Sequence, residues 1–426
     1  MAIAADASSL SVAWWREPTK DQWFAWFAGV FGWMLDAFDF TIFLLIMVPI
    51  ATEFNVSVTA VASVLTLTLW LRFPGAVGSG WLADRARRKL PLMLSILWFS
   101  ACNFIAGFSP NFTFLFVVRA LLGIGMGAEW PAGTTLAMES WPARTRGLMG
   151  AVMQGSWAIG FALSSVAYWL LNDSIGWRGL LWVSVLPAPL LWAYIHYFVK
   201  EPPVSVENRK RQRDGNQEVR APLAAIFRRG LRFNTFTACW WMTGHMLIYY
   251  SIYGLFATWL QSELRVPAAA VATPVLLNNL VVFGAAFVWG AITDRIGRRV
   301  TIIIQALSGC VVAPLYLLSG NLNVILVGFV AQGFFGASVT LMAAAYMPER
   351  FPTEVRATAS AFCYHFGLFF GALVPAVASY FAVEQHMGFA VPMLIGYLIG
   401  AATVVSALLL SPETKGKVFV SDLMKQ

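Results

Sequence analysis

The chain has 426 residues, 59% of them hydrophobic and 12% charged, with a formal net charge of +8 and a mean hydropathy of +0.68. Soluble domains carry roughly 45–50% apolar and about 25% charged residues, so this chain lacks the charge to cover a water-soluble globule of its length. The same composition excludes disorder and a disulfide-stapled secreted fold, and Cys102, Cys239, Cys310 and Cys363 lie far apart in apolar runs without ligand-type spacing. This is the composition of a polytopic membrane protein.

A ~30 Å hydrocarbon core demands about 20 apolar residues per crossing. Twelve such stretches follow in chain order: 23–50, 62–83, 90–108, 112–138, 147–171, 178–199, 233–260, 270–292, 300–319, 322–347, 357–383 and 387–411. They predict an all-α membrane protein of twelve transmembrane helices. Of the 29 Lys and Arg residues, 25 fall in the loops and ends of one side. Arg178 and Arg265 fall on the other side, and Arg72 and Arg119 lie inside spans. The positive-inside rule then places both termini and the long middle loop in the cytoplasm. The basic charge is thus a topology signal, and no nucleic-acid partner is expected. Residues 1–20 show no basic n-region followed by an apolar h-region, so span one is expected to act as its own insertion signal.

The long polar stretch 200–232, with Arg209, Lys210, Arg211 and Arg213, divides the spans six and six. The expected organisation is a cytoplasmic N-terminus at 1–22 and a six-helix bundle at 23–199. A solvated linker at 200–232, a second bundle at 233–411 and a cytoplasmic tail at 412–426 follow. The halves also repeat: Asp84 and Asp294, Glu139 and Glu349, Pro142 and Pro352, Arg146 and Arg356, and Pro202 and Pro412 all share an offset of 210. Repeats of this kind mark transporters whose two bundles rock around a midplane site.

Two copies of one loop pattern carry the repeat. Gly80-Trp81-Leu82-Ala83-Asp84-Arg85-Ala86-Arg87-Arg88-Lys89 and Gly290-Ala291-Ile292-Thr293-Asp294-Arg295-Ile296-Gly297-Arg298-Arg299 resemble the loop signature of the major facilitator superfamily, with Arg87 where the family usually has Gly. Pro412-Glu413-Thr414-Lys415-Gly416 resembles a common ending in that superfamily. A carboxylate at a helix end beside arginines can form a charge-assisted cluster. The resemblance implies that Asp84, Arg85, Arg88, Asp294, Arg295 and Arg298, with Glu139, Arg146, Glu349 and Arg356, gate the cytoplasmic rim.

An ionisable side chain at mid-membrane costs at least ~2.5–3.5 kcal/mol on insertion scales, so each one needs a reason. Asp36 and Asp39 lie three apart near the middle of span one and share a helix face. Paired acids in low dielectric are suited to taking up a proton, or else are locked to neighbouring helices for structure. Arg72 sits at the centre of span two, where its planar fork suits a substrate carboxylate or an internal partner in Asp36 or Asp39. Arg119 opens a run with Gly123, Gly125 and Gly127 that lets a neighbouring helix approach closely. That run resembles a superfamily motif linked to proton transfer, and Glu129, three turns on, is a candidate relay. His245, Asn278, Asn279 and Gln332 are candidate pocket residues, with interhelical hydrogen bonds as the alternative; His365, Gln154 and Gln305 are read the same way. No Walker A pattern, zinc-ligand spacing or nucleophile elbow is present. No metal, cofactor or enzymatic activity is expected, and the proton serves as coupling ion.

Asp36-Ala37-Phe38-Asp39, Arg72, the Arg119–Gly127 run, and Ala128-Glu129-Trp130 followed by Glu139-Ser140-Trp141-Pro142 are similar to the sialate–proton symporter family. That group includes sialic acid and lactate carriers. The resemblance implies a monomeric proton symporter in a cell membrane, the bacterial inner membrane, that imports a small organic anion. A lactate-type monocarboxylate is favoured, although Gly254 stands near the place of an acidic residue in the fungal lactate motif. Sialic acid and aromatic-acid symport are the alternatives, followed by drug-efflux antiport and a receptor built on a carrier scaffold.

Overall fold

The computed structural model describes residues 13–215, 219 and 221–419. The first twelve residues of the expected N-terminal segment, residues 216–218 and 220 of the linker and 420–426 of the tail lie outside the described residues. Among the described residues there are helices and no strand. The first half contains α1 (Lys20–Leu45), α2 (Val58–Arg85), α3 (Lys89–Ala106), α4 (Phe112–Ser140), α5 (Arg146–Val185) and α6 (Pro187–Phe198). After α7 (Pro203–Asp214) the second half contains α8 (Arg232–Ile252, followed by its C-cap Tyr253), α9 (Ala268–Ile296), α10 (Arg298–Leu317) and α11 (Leu322–Phe335). It closes with α12 (Ala343–Glu349), α13 (Arg356–Gly371), α14 (Val374–Val383) and α15 (Ala390–Leu409).

Ten stretches among the described residues are long and apolar enough to cross a bilayer, and one of them, Arg146–Phe198, runs for 53 residues. At about 1.5 Å per residue it is long enough for two crossings. It turns at Gly176, whose φ of +63° suits a residue without a Cβ. The 21 residues of α8 supply the remaining crossing, made less apolar by Asn234, Thr235, Thr237, Thr243 and His245. Twelve crossings result.

Local chemistry sets the helix ends. Thr19 opens α1 with a reciprocal capping box to Gln22, and Ser57 and Asn111 cap α2 and α4 through the amides of Ala60 and Phe114. Several expected spans are interrupted. Pro49 has no amide to give the Leu45 carbonyl, so the helix of span one breaks at Ile46 and restarts as Met47–Glu53. Pro375 has the same effect between α13 and α14. Span seven stops at Ile252 and resumes as Phe256–Ser262, and span ten passes through a 3-10 turn at Ala337–Met342. The linker is not uniformly solvated: α7 buries Ser205, Asn208 and Gln212, pairs the half-buried Arg209 with Glu201, and exposes Lys210, Arg211 and Arg213. Near the opposite end of the first half, Arg178 hydrogen-bonds Glu53 and holds its carboxyl below the usual range.

Large apolar side chains such as Trp169, Leu190 and Val327 are exposed, whereas Asp36, Arg119, Glu129 and Glu349 are fully buried. This inverted distribution fits a hydrocarbon surround. The halves meet along α2 against α13 and along α5 against α9, which are mates under the 210-residue repeat. Close approach depends on glycine. The stripes Gly367/Gly371 and Gly396/Gly400 both face α8, as helix-packing contacts. Between α2 and α4, a Cβ on Gly127 would collide with the backbone carbonyl of Arg72. Neither backbone can yield, so Gly127→Ala is expected to cost about 1–3 kcal/mol of stability. The check is thermal unfolding in detergent, with Gly78→Ala, where a Cβ meets open space, unfolding at or slightly above the parent temperature.

Candidate functional site

A cavity of about 100 Å³ lies between the halves. The first half contributes Trp33 and Phe40 from α1, Arg72 from α2, and Gln154 and Trp157 from α5. The second contributes His245, Tyr249, Tyr250 and Tyr253 from α8, Asn279 from α9 and Tyr364 from α13. The wall is strongly aromatic and internally braced. Trp33 and Trp157 lie 4.5 Å apart between ring centroids, and Tyr364 stacks on Trp130 at 3.8 Å, across the bundle boundary. The Gln154 carboxamide oxygen accepts from the Trp130 indole at 2.8 Å, and its backbone carbonyl accepts from Trp33 at 3.2 Å.

The charged end of the cavity is Arg72, whose Nη2 hydrogen-bonds the Asp36 carboxylate. The same nitrogen lies 3.4 Å from the Met126 sulfur. Arg72 Nε and Asp36 Oδ2 have no hydrogen-bond partner among the described residues. The pair is therefore neutral but incompletely satisfied, and in a low dielectric each such vacancy is costly.

Asp39 does not share that arginine. It pairs with Arg119 at 3.6 Å and accepts from Asn103 and from Ser184 Oγ, the latter at 2.9 Å. Arg119 also donates to Asn103 at 2.8 Å and lies 4.1 Å over the Phe43 ring. The two acids thus serve separate ion pairs, one on the cavity wall and one inside the first half. Glu129 is fully buried near Gly32, with neither carboxylate oxygen hydrogen-bonded.

The structure redistributes the expected pocket residues. His245 and Asn279 line the cavity, but Asn278 and Gln332 do not. Asn278 turns away, accepting from Tyr253 Oη at 2.7 Å and donating to the Phe329 carbonyl at 2.5 Å. Gln332 is buried beside Gly336 on the far side of α9. Adjacent helical residues point about 100° apart, so Asn278 and Asn279 cannot face the same space. Asn103, Ser184 and the tyrosines were not picked out from sequence. Asn103, a lone amide in an apolar helix, carried a readable signal; the tyrosines required the tertiary arrangement.

The basic rim carries two matching clusters. Asp84 accepts the amides of Ala357 and Thr358 at 3.1 and 2.8 Å, in the first turn of α13 of the other half. Asp294 does the same for Gly147 and Leu148 at the start of α5, at 3.0 and 2.8 Å. Each carboxylate so neutralises the positive end of its neighbour's helix. Four residues on, Arg88 pairs with Asp84 and takes Glu139 with two nitrogens at 2.9 and 3.1 Å. Arg298 pairs with Asp294 at 2.7 Å and takes Glu349 through two contacts of 3.1 Å. Arg356 reaches back to Glu139 at 2.9 Å and Arg146 crosses to Glu349 at 3.3 Å. The rim is closed.

Arg85 and Arg295, expected in these clusters, are exposed and stand outside them. Arg85 lies over the Trp81 ring, and Arg295 offers its carbonyl to Lys415. Arg88 and Arg298 lie past the ends of α2 and α9, where the chain turns into the next helix and brings them back beside Asp84 and Asp294.

These contacts predict separable effects on binding and turnover. Asp84→Asn or Asp294→Asn should slow transport about tenfold while substrate affinity stays within about threefold, given ~1.5–3 kcal/mol for a charged hydrogen bond. Asp84, with its side chain 1% exposed against 12% for Asp294, should show the larger effect. Initial uptake rates measured beside equilibrium binding check this, and a tenfold loss of affinity would contradict a rim role.

The model of the Major Facilitator Superfamily matches residues 29–261 and 242–423. The chain is 31% identical to a probable 4-methylmuconolactone transporter of Cupriavidus pinatubonensis, over 95% of this chain and 94% of that one. It is 26% identical to a cis,cis-muconate transport protein of Acinetobacter baylyi, over 83% and 86%. A sialic acid transporter of Escherichia coli is 22% identical over 98% and 100%. The structure of the proton:xylose symporter XylE superposes with a TM-score of 0.75 at 17% identity, covering 95% of this chain and 98% of that one.

Proposed function

Since this chain belongs to the Major Facilitator Superfamily, and so is a membrane transporter and not an enzyme, we propose that it imports a small organic carboxylate together with protons. The observation that carries this reading is the Arg72–Asp36 pair on the wall of a cavity built by both halves. Protonation of Asp36 removes the counter-charge of Arg72, whose fork then takes the substrate carboxylate. The site stays neutral through the exchange, which lowers the cost of shutting it from water. Asp39, Arg119 and Glu129 complete the proton path in this reading, and the basic rim faces the cytoplasm by the positive-inside rule.

The aromatic wall refines the cargo. Trp33, Trp157, Tyr249, Tyr250 and Tyr364 offer flat apolar faces beside one guanidinium, an arrangement suited to a planar, conjugated or aromatic carboxylate. Lactate, favoured from sequence, would leave that wall unused. The relatives named for muconate and for methylmuconolactone point the same way.

Proteoliposome uptake of labelled carboxylates tests both parts. Uptake should require an inward proton gradient and collapse with an uncoupler; uptake driven by sodium alone would sink the proposal. Arg72→Lys keeps the charge without the bidentate fork, so affinity should fall roughly ten- to a hundredfold with some transport remaining. Arg72→Ala should abolish both. A cargo analogue with its carboxylate amidated should bind wild type and Arg72→Ala equally poorly. Tight binding of that amide to wild type would make Arg72 a structural partner of Asp36 alone.

A further inference from the structure

Beyond the last helix the chain does not trail into solvent. Thr414 Oγ1 donates to Glu349 at 2.6 Å, and the Lys417 carbonyl accepts from Arg146 Nη1 at 2.8 Å. Val418 is 68% exposed, yet the next residue, Phe419, is only 7% exposed. Its ring is held by two guanidiniums, with Arg146 4.0 Å and Arg356 3.8 Å from the ring centroid.

Those two arginines are the mates of the 210-residue repeat. Arg146 begins α5 in one half and Arg356 begins α13 in the other. Phe419 therefore sits where the halves' equivalent helix ends converge. The π face of an aromatic ring attracts a cation, so one ring here joins guanidiniums that belong to the two halves. Phe419 can keep both partners only while the rim is closed. Once the halves part there, the ring retains one guanidinium at most.

We propose that residues 417–419 form a C-terminal strap that holds the rim closed through Phe419, an autoinhibitory contact that must be released before the carrier opens on that side. The strap engages the rim clusters through their arginines Arg146 and Arg356, and it adds a bridge between the halves through a ring supplied by the tail.

The test needs no substrate, so it stands apart from the assignment of cargo. Ala357 is fully buried in the closed rim, and Ala357→Cys in the full chain reports rim opening by its rate of maleimide labelling, read at that residue by peptide mass spectrometry. Phe419→Ala and Phe419→Leu should each speed labelling about fivefold or more, since both lose the π faces. Phe419→Trp, which keeps them, should label no faster than the parent. A parent-like rate in Phe419→Ala would overturn the strap, and so would a parent-like rate in Phe419→Leu, which would reduce the contact to apolar packing. If Phe419→Ala does not yield folded protein, deletion of 417–426 carries the same fivefold expectation, and a parent-like rate there overturns it.

Discussion

A guanidinium keeps its proton at every pH a cell meets, so Arg72 needs an anion beside it whenever the bundle is closed around it. That requirement organises the interior. Asp36 satisfies it in this structure with a single hydrogen-bonded oxygen. Asp39 is likewise held through one hydrogen-bonded oxygen, which accepts from Asn103 and Ser184, with Arg119 as its ion-pair partner. Two acids one helical turn apart thus serve different arginines, with the Asp36–Arg72 pair at the cavity wall and the Asp39–Arg119 pair inside the first half. The aromatic cavity borders the Arg72 pair.

The rim obeys the same rule with a different solution. Its buried charges are numerous, but nearly every one is shared across the two halves. Asp84 and Asp294 each terminate a helix belonging to the other bundle, and Glu139 and Glu349 each bind arginines from both. Removing one partner of such a buried set costs about 3–5 kcal/mol, so the halves cannot part there without water or another partner replacing the lost contacts. Glycines at 80 and 290, again 210 apart, let the helix backbones come close enough for these bonds; a Cβ at either would lie under 3 Å from the facing chain. Sequence repetition, interface symmetry and a closed rim are three consequences of one duplicated contact.

Much of this was legible in the chain. Twelve crossings followed from apolar length, and the shared offset named Asp84, Asp294, Glu139, Glu349, Arg146 and Arg356 before any contact was known. Pro49 and Pro375 were readable as helix breaks, although the expected spans ran through them. Which arginine of Asp-Arg-x-x-Arg turns inward was not readable, because Arg88 and Arg298 lie beyond the ends of α2 and α9 and depend on the turn that follows. Other features were beyond local reading. Asn278 and Asn279 differ only in azimuth. The tyrosines facing Arg72 come from the opposite half. Phe419 lies in a short polar tail whose sequence says nothing of the arginines it meets.

In the proposed cycle a proton on Asp36 and a carboxylate on Arg72 bind together. The most direct measurement is the equilibrium affinity of the purified carrier for its best-transported carboxylate as a function of pH, in wild type and in Asp36→Asn. One proton taken up per carboxylate predicts that wild-type affinity weakens up to about tenfold per pH unit on the alkaline side. Asp36→Asn, permanently neutral, should bind with little pH dependence. Equal pH dependence in the two proteins, or none in wild type, would contradict the exchange of Asp36 for substrate on Arg72.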